Sequence, residues 1–348
     1  MRPSSPNDDD RVLGLKPPVV TTEDGFRRRV SYLRISLTDR CNLRCRYCMP
    51  KEGIAYFPKE SLLSTEEIKR LIEVFQSLGV NKIRLTGGEP LLRSDIADIL
   101  AHIYSVGISD VSITTNGILL KEKLGGLLEA GLTRINISLD TFRHEKFERI
   151  TGADAYEKVI TGLFAAMESG LSPVKINMVV MRGWNTDEIP DFVEFARIYP
   201  IEVRFLELMP TRNNFEGTAM VSNDSFVSVK EIRAEVERHA SLGAEDPIQG
   251  VARSYPVLGG QGKIGFVSPV SNHFCATCNR VRLTSTGGLK TCLHGEEVVD
   301  LKAFIRKGAN EEEIAQAIRA ALFRKPEEHF IRSDNFESRH LQMSQVGG

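Results

Sequence analysis

The chain has 348 residues, with 45 Lys and Arg against 46 Asp and Glu, for a net charge of -1. That balance offers no electrostatic footprint for nucleic acid or an anionic membrane, and no apolar run approaches the ~20 residues of a membrane span. Any anionic ligand must be met by a local cluster of cations, and the length suits one large α/β domain with an extension or two modest domains.

Residues 1–26, which carry Asp8, Asp9 and Asp10 and no long apolar stretch, read as a flexible leader rather than a signal or transit peptide. From there to residue 209, short β-branched segments alternate with amphipathic helical ones. Strands are expected at 32–37, 81–86, 110–115, 133–139, 174–180 and 202–208, with helices at 65–78, 94–106, 119–130, 155–170 and 187–198. The first helix has clear punctuation: Ser64 and Glu67 form a capping box, and Gly79 follows its last apolar residue. Six β–α repeats imply a parallel sheet.

Strands buried on both faces read as continuous apolar runs. Here Leu33, Ile35 and Leu37 oppose Arg34 and Ser36, Ile83 and Leu85 oppose Arg84, and Ile135 and Ile137 oppose Asn136 and Ser138. A polar row repeated on successive strands cannot line a dry core. The fold class expected is therefore α/β, a partial (β/α)6 TIM-like barrel over 27–210, with helices on its apolar face and a ligand-filled lumen on its polar one. Arg204 and Glu207 have opposite parity, which predicts a bulge in the sixth strand. Residues 211–348 form a C-terminal region: a loop at 211–227, a helix at 228–240, strand-like runs between Tyr255 and Leu293, a helix at 311–324, and a Gly347-Gly348 tail. Gly259-Gly-Gln-Gly-Lys263 is followed by Ile264 and lies between strand-like runs, so it reads as a hairpin turn rather than a P-loop.

All six cysteines fall into two triplets. Cys41, Cys45 and Cys48 have C-x3-C-x2-C spacing directly after the first strand, where parallel folds place their chemistry. Three thiolates can hold three irons of a cubane and leave the fourth open to a ligand. A structural zinc site is the competing reading, but it usually takes four ligands in C-x2-C pairs. This spacing resembles the signature of the radical S-adenosylmethionine (SAM) superfamily, as does Thr86-Gly87-Gly88-Glu89-Pro90 at the end of the second strand. There, glycines permit close backbone approach and a carboxylate suits the SAM ammonium.

Cys275, Cys278 and Cys292 again supply three thiolates. A zinc knuckle completed by His273 or His294 competes with a second open [4Fe–4S] cluster. Arg280 and Arg282, alternating just after Cys278, can grip a polyanion. The run from Phe274 to Thr284 resembles the C-terminal motif of the GTP 3′,8-cyclases (MoaA type) of molybdenum cofactor biosynthesis, and the likeness extends from about residue 28 to the Gly-Gly tail.

That resemblance implies a lyase that turns GTP into 3′,8-cyclo-7,8-dihydro-GTP while SAM is cleaved to 5′-deoxyadenosine and methionine. The adenosyl radical takes the C3′ hydrogen, and C3′ then attacks C8. It implies [4Fe–4S] clusters on both triplets, the second holding the guanine. Implied SAM contacts are Tyr47, Gly87, Gly88, Glu89, Ser138 and Met209. Implied GTP contacts are Arg34, Arg84, Thr115, Lys175, Arg280, Val281 and Arg282, although strand parity leaves Thr114 and Thr115 both open. Gly347 and Gly348 would form a catalytic tail reaching the site. Implied partners are an external electron donor and a downstream cyclic pyranopterin monophosphate synthase. A reducing cytoplasmic location, no nucleic acid, no membrane and a monomer or homodimer complete the expectation. An alternative is another auxiliary-cluster radical SAM enzyme, such as a peptide-modifying maturase; a non-catalytic zinc scaffold is the reading from a different class.

Overall fold

The computed structural model describes residues 22–50, 53–209, 223–247, 250–329, 331 and 343–347. The six expected strands are present as β1 (Tyr32–Ser36), β2 (Lys82–Thr86), β3 (Asp110–Thr115), β4 (Ile135–Ser138), β5 (Val174–Val180) and β6 (Glu202–Glu207), paired in parallel in that order. Between them lie α1 (Thr65–Ser77), α2 (Ile96–Ser105), α3 (Leu120–Glu129), α4 (His144–Thr151), α5 (Tyr156–Glu168) and α6 (Ile189–Ile198). The capping box of α1 forms as expected: the Ser64 hydroxyl accepts from Glu67 N at 3.1 Å, and the Glu67 carboxylate accepts from Ser64 N at 2.8 Å. Ile68, Leu71, Ile72 and Phe75 of α1 are buried against the apolar face of the strands, in one core with Leu33, Ile35, Ile83 and Leu85. Removing that apolar area from water is the main force holding helices to sheet.

The C-terminal region does not sit beside this unit but inside its sheet. After α7 (Val229–His239) come β7 (Arg253–Pro256), β8 (Lys263–Val267), β9 (Arg280–Leu283), β10 (Gly288–Lys290) and β11 (Val299–Asp300), then α8 (Leu301–Arg306), α9 (Glu311–Phe323) and α10 (Met343–Val346). Strand β9 pairs in parallel with β1, and β8 in parallel with β6. The sheet order is β11-β10-β9-β1-β2-β3-β4-β5-β6-β8-β7, so eight parallel strands stand side by side and the two ends do not meet. The Gly259–Lys263 stretch joins antiparallel β7 and β8, the hairpin expected from sequence. Residues 1–21 of the leader, residues 211–222 of the expected loop and Gly348 lie outside the described residues. No described helix is long and apolar enough to cross a membrane.

The bulge expected in β6 is absent. Its register with β5 runs one to one from Lys175↔Glu202 to Val180↔Glu207. Glu207 points to the buried side with Val203 and Phe205, and hydrogen bonds replace water there: its carboxylate accepts from Val229 N at 2.8 Å and from Val270 N and Ser271 N at 2.9 Å. A carboxylate tolerates burial when backbone N–H groups satisfy it.

Gly125 and Gly126 lie exposed in the middle of α3, and a Cβ added at either meets nothing within 4 Å. Glycine costs a helix interior roughly 0.5–1 kcal/mol relative to alanine. Gly125→Ala and Gly126→Ala are each expected to stabilise the protein by about that amount, read as a higher urea midpoint with unchanged slope.

Candidate active site

The polar rows of the strands line one cavity of about 300 Å3, and all six cysteines border it. From β1, β2, β4, β6 and β9 come Arg34, Arg84, Ser138, Arg204, Arg280 and Arg282. The loop after β1 brings Cys41, Cys45, Tyr47 and Cys48; the segments flanking β9 and β10 bring Cys275, Cys278 and Cys292. Pairing of β9 with β1 is what unites two triplets more than 200 residues apart, because Arg282 and Arg34 are register partners.

The first triplet sits in a cradle of backbone. Gly88 N donates to the Thr38 carbonyl at 2.7 Å and Glu89 N to the Arg40 carbonyl at 2.8 Å. A Cβ on Gly88 would lie 2.2 Å from the Arg40 oxygen, and one on Gly87, where φ is +153°, 2.7 Å from the Thr38 oxygen. The glycines thus permit close approach of the chain to itself. Glu89 is 1% exposed and accepts from Leu91 N, the Thr115 hydroxyl and Asn116 N. A carboxylate can accept about four hydrogen bonds, so one place remains for an ammonium. Burial holds the Glu89 carboxyl up at about 7. Tyr47 donates to Asp140 at 2.8 Å, and Asp140 in turn accepts from Val179 N.

The donor set fits iron–sulfur cubanes. All six thiols are free and line the cavity, and hydrogen-bond donors already address two of their sulfurs, with Leu43 N 3.4 Å from Cys41 Sγ and Lys325 Nζ 3.6 Å from Cys278 Sγ. Burial pushes the Cys41 and Cys45 thiols up. At Cys278 burial acts the same way, but Arg280 and Lys325 outweigh it and bring the thiol down to about 7. His273 and His294, the candidate zinc ligands, instead flank the ring of His329, with centroids 5.1 and 5.0 Å apart.

Cations dominate the lumen. Burial and the neighbouring Arg282 drive the Arg34 guanidinium well below its ordinary value; burial and Arg280 bring Arg282 down to about 10. Burial would raise the Tyr32 phenol, yet Arg84, Arg34, Arg280 and Lys82 together pull it to about 8. Like charges crowded away from water are unfavourable unless an anion joins them.

Two expected contacts, Val281 and Lys175, lie outside the cavity lining. Val281 is 1% exposed in the core between sheet and helices, because alternate strand residues face opposite sides. Lys175 lies one layer below the cavity with its ammonium on Glu202, outside the lining. Thr114 and Thr115 both border the cavity; the Thr115 hydroxyl donates to Glu89 and accepts from Gly117 N, while Thr114 shares the strand face of Ser112, to which Arg84 donates at 3.2 Å. Gly347 is buried: its carbonyl accepts from Arg282, its φ is +71°, and a Cβ would lie 2.4 Å from Thr86 Oγ1. Asn116, Asp140, Arg204 and Lys325 were not among the expected site residues; the first two stand just past strand ends, a signal that position alone supplied.

Glu202 holds Arg204 at 2.6 Å as well as Lys175. Burial alone would raise its carboxyl, but Arg204 and Lys175 hold it at about 2. A carboxyl held below its ordinary value of 4.5 adds stability that is present above that pH and lost as pH falls toward about 2. Glu202→Gln is expected to lower the thermal midpoint at pH 7 and to flatten its decline between pH 4.5 and 2; equal slopes for both proteins would remove this network from the stability account.

Two family models match the chain: the Radical SAM superfamily over residues 35–196 and Molybdenum Cofactor Synthesis C over residues 201–331. A GTP 3′,8-cyclase of Syntrophomonas wolfei is 44% identical over 328 residues, covering 93% of this chain and 99% of the relative. The chain belongs to the radical SAM GTP 3′,8-cyclase family. A second member of that family, from Moorella thermoacetica, is 43% identical over 94% of this chain and its own full length. Among solved structures, Streptococcus suis SuiB bound to precursor peptide SuiA has a TM-score of 0.55 at 16% identity, covering 86% of this chain and 66% of that one, and so shares the fold. Membership in this family implies SAM and a [4Fe–4S] cluster.

Proposed function

We propose that this chain is the GTP 3′,8-cyclase of molybdenum cofactor biosynthesis, with SAM at the first cysteine triplet and GTP between the first triplet and the second. The observation that carries this reading is the single cavity bordered by both triplets and by Arg34, Arg84, Arg280 and Arg282, none of which is ion-paired to a carboxylate among the described residues. Cys41, Cys45 and Cys48 would hold the cluster to which SAM binds; when bound, this pair supplies a 5′-deoxyadenosyl radical. Cys275, Cys278 and Cys292 would hold a second [4Fe–4S] cluster.

The protein's own work is placement and charge. Arg34, Arg84, Arg280 and Arg282 offer bidentate donors to a triphosphate, which is the anion their crowding calls for. Arg280 is itself held over the Phe274 ring at 4.6 Å. Ser138 and Thr114 present hydroxyls from rigid strands, so a ribose between them is held by elements that cannot drift. Tyr47, with its hydroxyl fixed on Asp140, the Gly87-Gly88-Glu89 turn and Met209 form the SAM side of the cavity. Gly347, against Thr86 and Arg282, closes the lumen with a residue that has no side chain to compete for space. Walls of this kind exclude water from a reactive intermediate. An external reductant would deliver the electron for SAM cleavage, and a pyranopterin monophosphate synthase would take the product.

The test is anaerobic incubation of iron-loaded protein with SAM, dithionite and GTP, followed by mass spectrometry. GTP-dependent 5′-deoxyadenosine together with a cyclised GTP isomer is the expected result. Deoxyadenosine formed equally without GTP would move the substrate elsewhere, and its absence from fully iron-loaded protein would overturn the reading.

A further inference from the structure

Lys325, just past the end of α9, is 3% exposed. Its ammonium carries three protons and finds three acceptors: Cys278 Sγ at 3.6 Å, the Arg280 carbonyl at 2.9 Å and the Thr291 carbonyl at 2.6 Å. None of these is a carboxylate. A buried ammonium without a counter-ion is costly, so the sulfur side of the triplet is its natural counter-charge. Consistent with that, burial lowers the Lys325 ammonium while Cys278 and Cys292 hold it up.

Lys325 opens a short segment, 325–327, that is tied back to the same triplet. Arg28, from the opposite end of the chain, fastens that segment in place: it donates to the Pro326 and Glu327 carbonyls at 2.6 Å each and to the Cys275 carbonyl at 2.8 Å, while Asp24 holds its Nε at 2.6 Å.

We infer that Lys325 is a positioning residue that makes the cluster on the second cysteine triplet easier to reduce. The inference rests on the reading that this triplet carries an iron–sulfur cluster. Hydrogen bonds to cluster sulfurs and a nearby positive charge both stabilise the reduced, more negative state and so raise its reduction potential. The two carbonyl bonds serve the same end mechanically, tying the start of β9 to the residue before Cys292.

The experiment uses the full chain carrying Cys41→Ala, Cys45→Ala and Cys48→Ala, so that only the second triplet can hold iron. Iron content and a reduced-state EPR signal come first; a protein that takes up no iron there overturns the cluster reading and the inference with it. If the cluster is present, redox titration is repeated with Lys325→Met or Lys325→Arg added. The methionine variant is expected to titrate at a more negative potential and the arginine variant to return toward the parent. A methionine variant with full iron and an unshifted potential would overturn the role of Lys325 while leaving the cluster reading intact. A second measurement covers a methionine variant that cannot keep its iron: with 15N-lysine in the parent, pulsed EPR of the reduced cluster should detect a 15N coupling that disappears in Lys325→Arg. A parent without that coupling would likewise overturn the inference.

Discussion

Replacing Arg34 with methionine is expected to stabilise the nucleotide-free protein and, in the same molecule, to weaken GTP binding at least tenfold. Arg34 is 7% exposed, its Nε is buried without a partner, and no hydrogen bond or ion pair among the described residues engages its guanidinium. Its neighbour across the strand pair is another buried arginine, Arg282. Replacing even a buried ion pair by apolar side chains of similar volume is often neutral or gains about 1–4 kcal/mol, and a buried charge without a partner has less to lose. Charge-assisted hydrogen bonds to a phosphate are worth about 1.5–3 kcal/mol, and each 1.4 kcal/mol is tenfold in affinity. The two effects have opposite sign because the strand is built for a state in which an anion is present. Thermal midpoints without nucleotide and calorimetric GTP titrations of anaerobically purified protein check both. A variant that loses stability and binds GTP normally would make Arg34 a structural residue.

Gly88→Ala is expected to reduce 5′-deoxyadenosine formation on the order of 100-fold. The added carbon would stand 2.2 Å from a main-chain oxygen, with two more main-chain atoms of Arg40 and Asp39 within 2.9 Å. Backbone on both sides cannot swing away as a side chain could. The end of β2 must separate from the turn that carries Cys41, and a displacement near 1 Å at reacting groups costs about that factor. Deoxyadenosine rate and iron content together read the outcome. Near-normal turnover would mean that the loop relaxes without disturbing the triplet.

The strands of the barrel were legible because each carries two or three alternations, and a polar row repeated from strand to strand has a single geometric meaning. Helix α4 was missed because eight residues, His144–Thr151, hold barely two turns of apolar periodicity around Phe147 and Ile150. The four residues of α10 hold barely one. Residues of one strand are separated by facing, as Val281 is from its arginine neighbours, and that much could have been read from parity alone. Side-chain pairing could not: Lys175 shares the face of Asn177 on β5, but its ammonium is taken by Glu202, outside the cavity lining. Lys325 had no local signal at all, since its partners lie 34–47 residues earlier in the chain. The cysteine triplets announced the chemistry, but pairing of β9 with β1 is what set them facing each other.

That pairing also has a consequence for how the chain is born. Tyr32 aligns with Arg280, so β1 emerges from the ribosome about 250 residues before the strand that covers its outer edge. At roughly 5–20 residues per second, the interval is on the order of ten to fifty seconds. Throughout it, a strand with an open hydrogen-bonding edge, followed directly by three thiols, stands without its final neighbour. The half that would bind SAM is therefore a nascent intermediate in need of protection, and sheet closure on that side waits for β9.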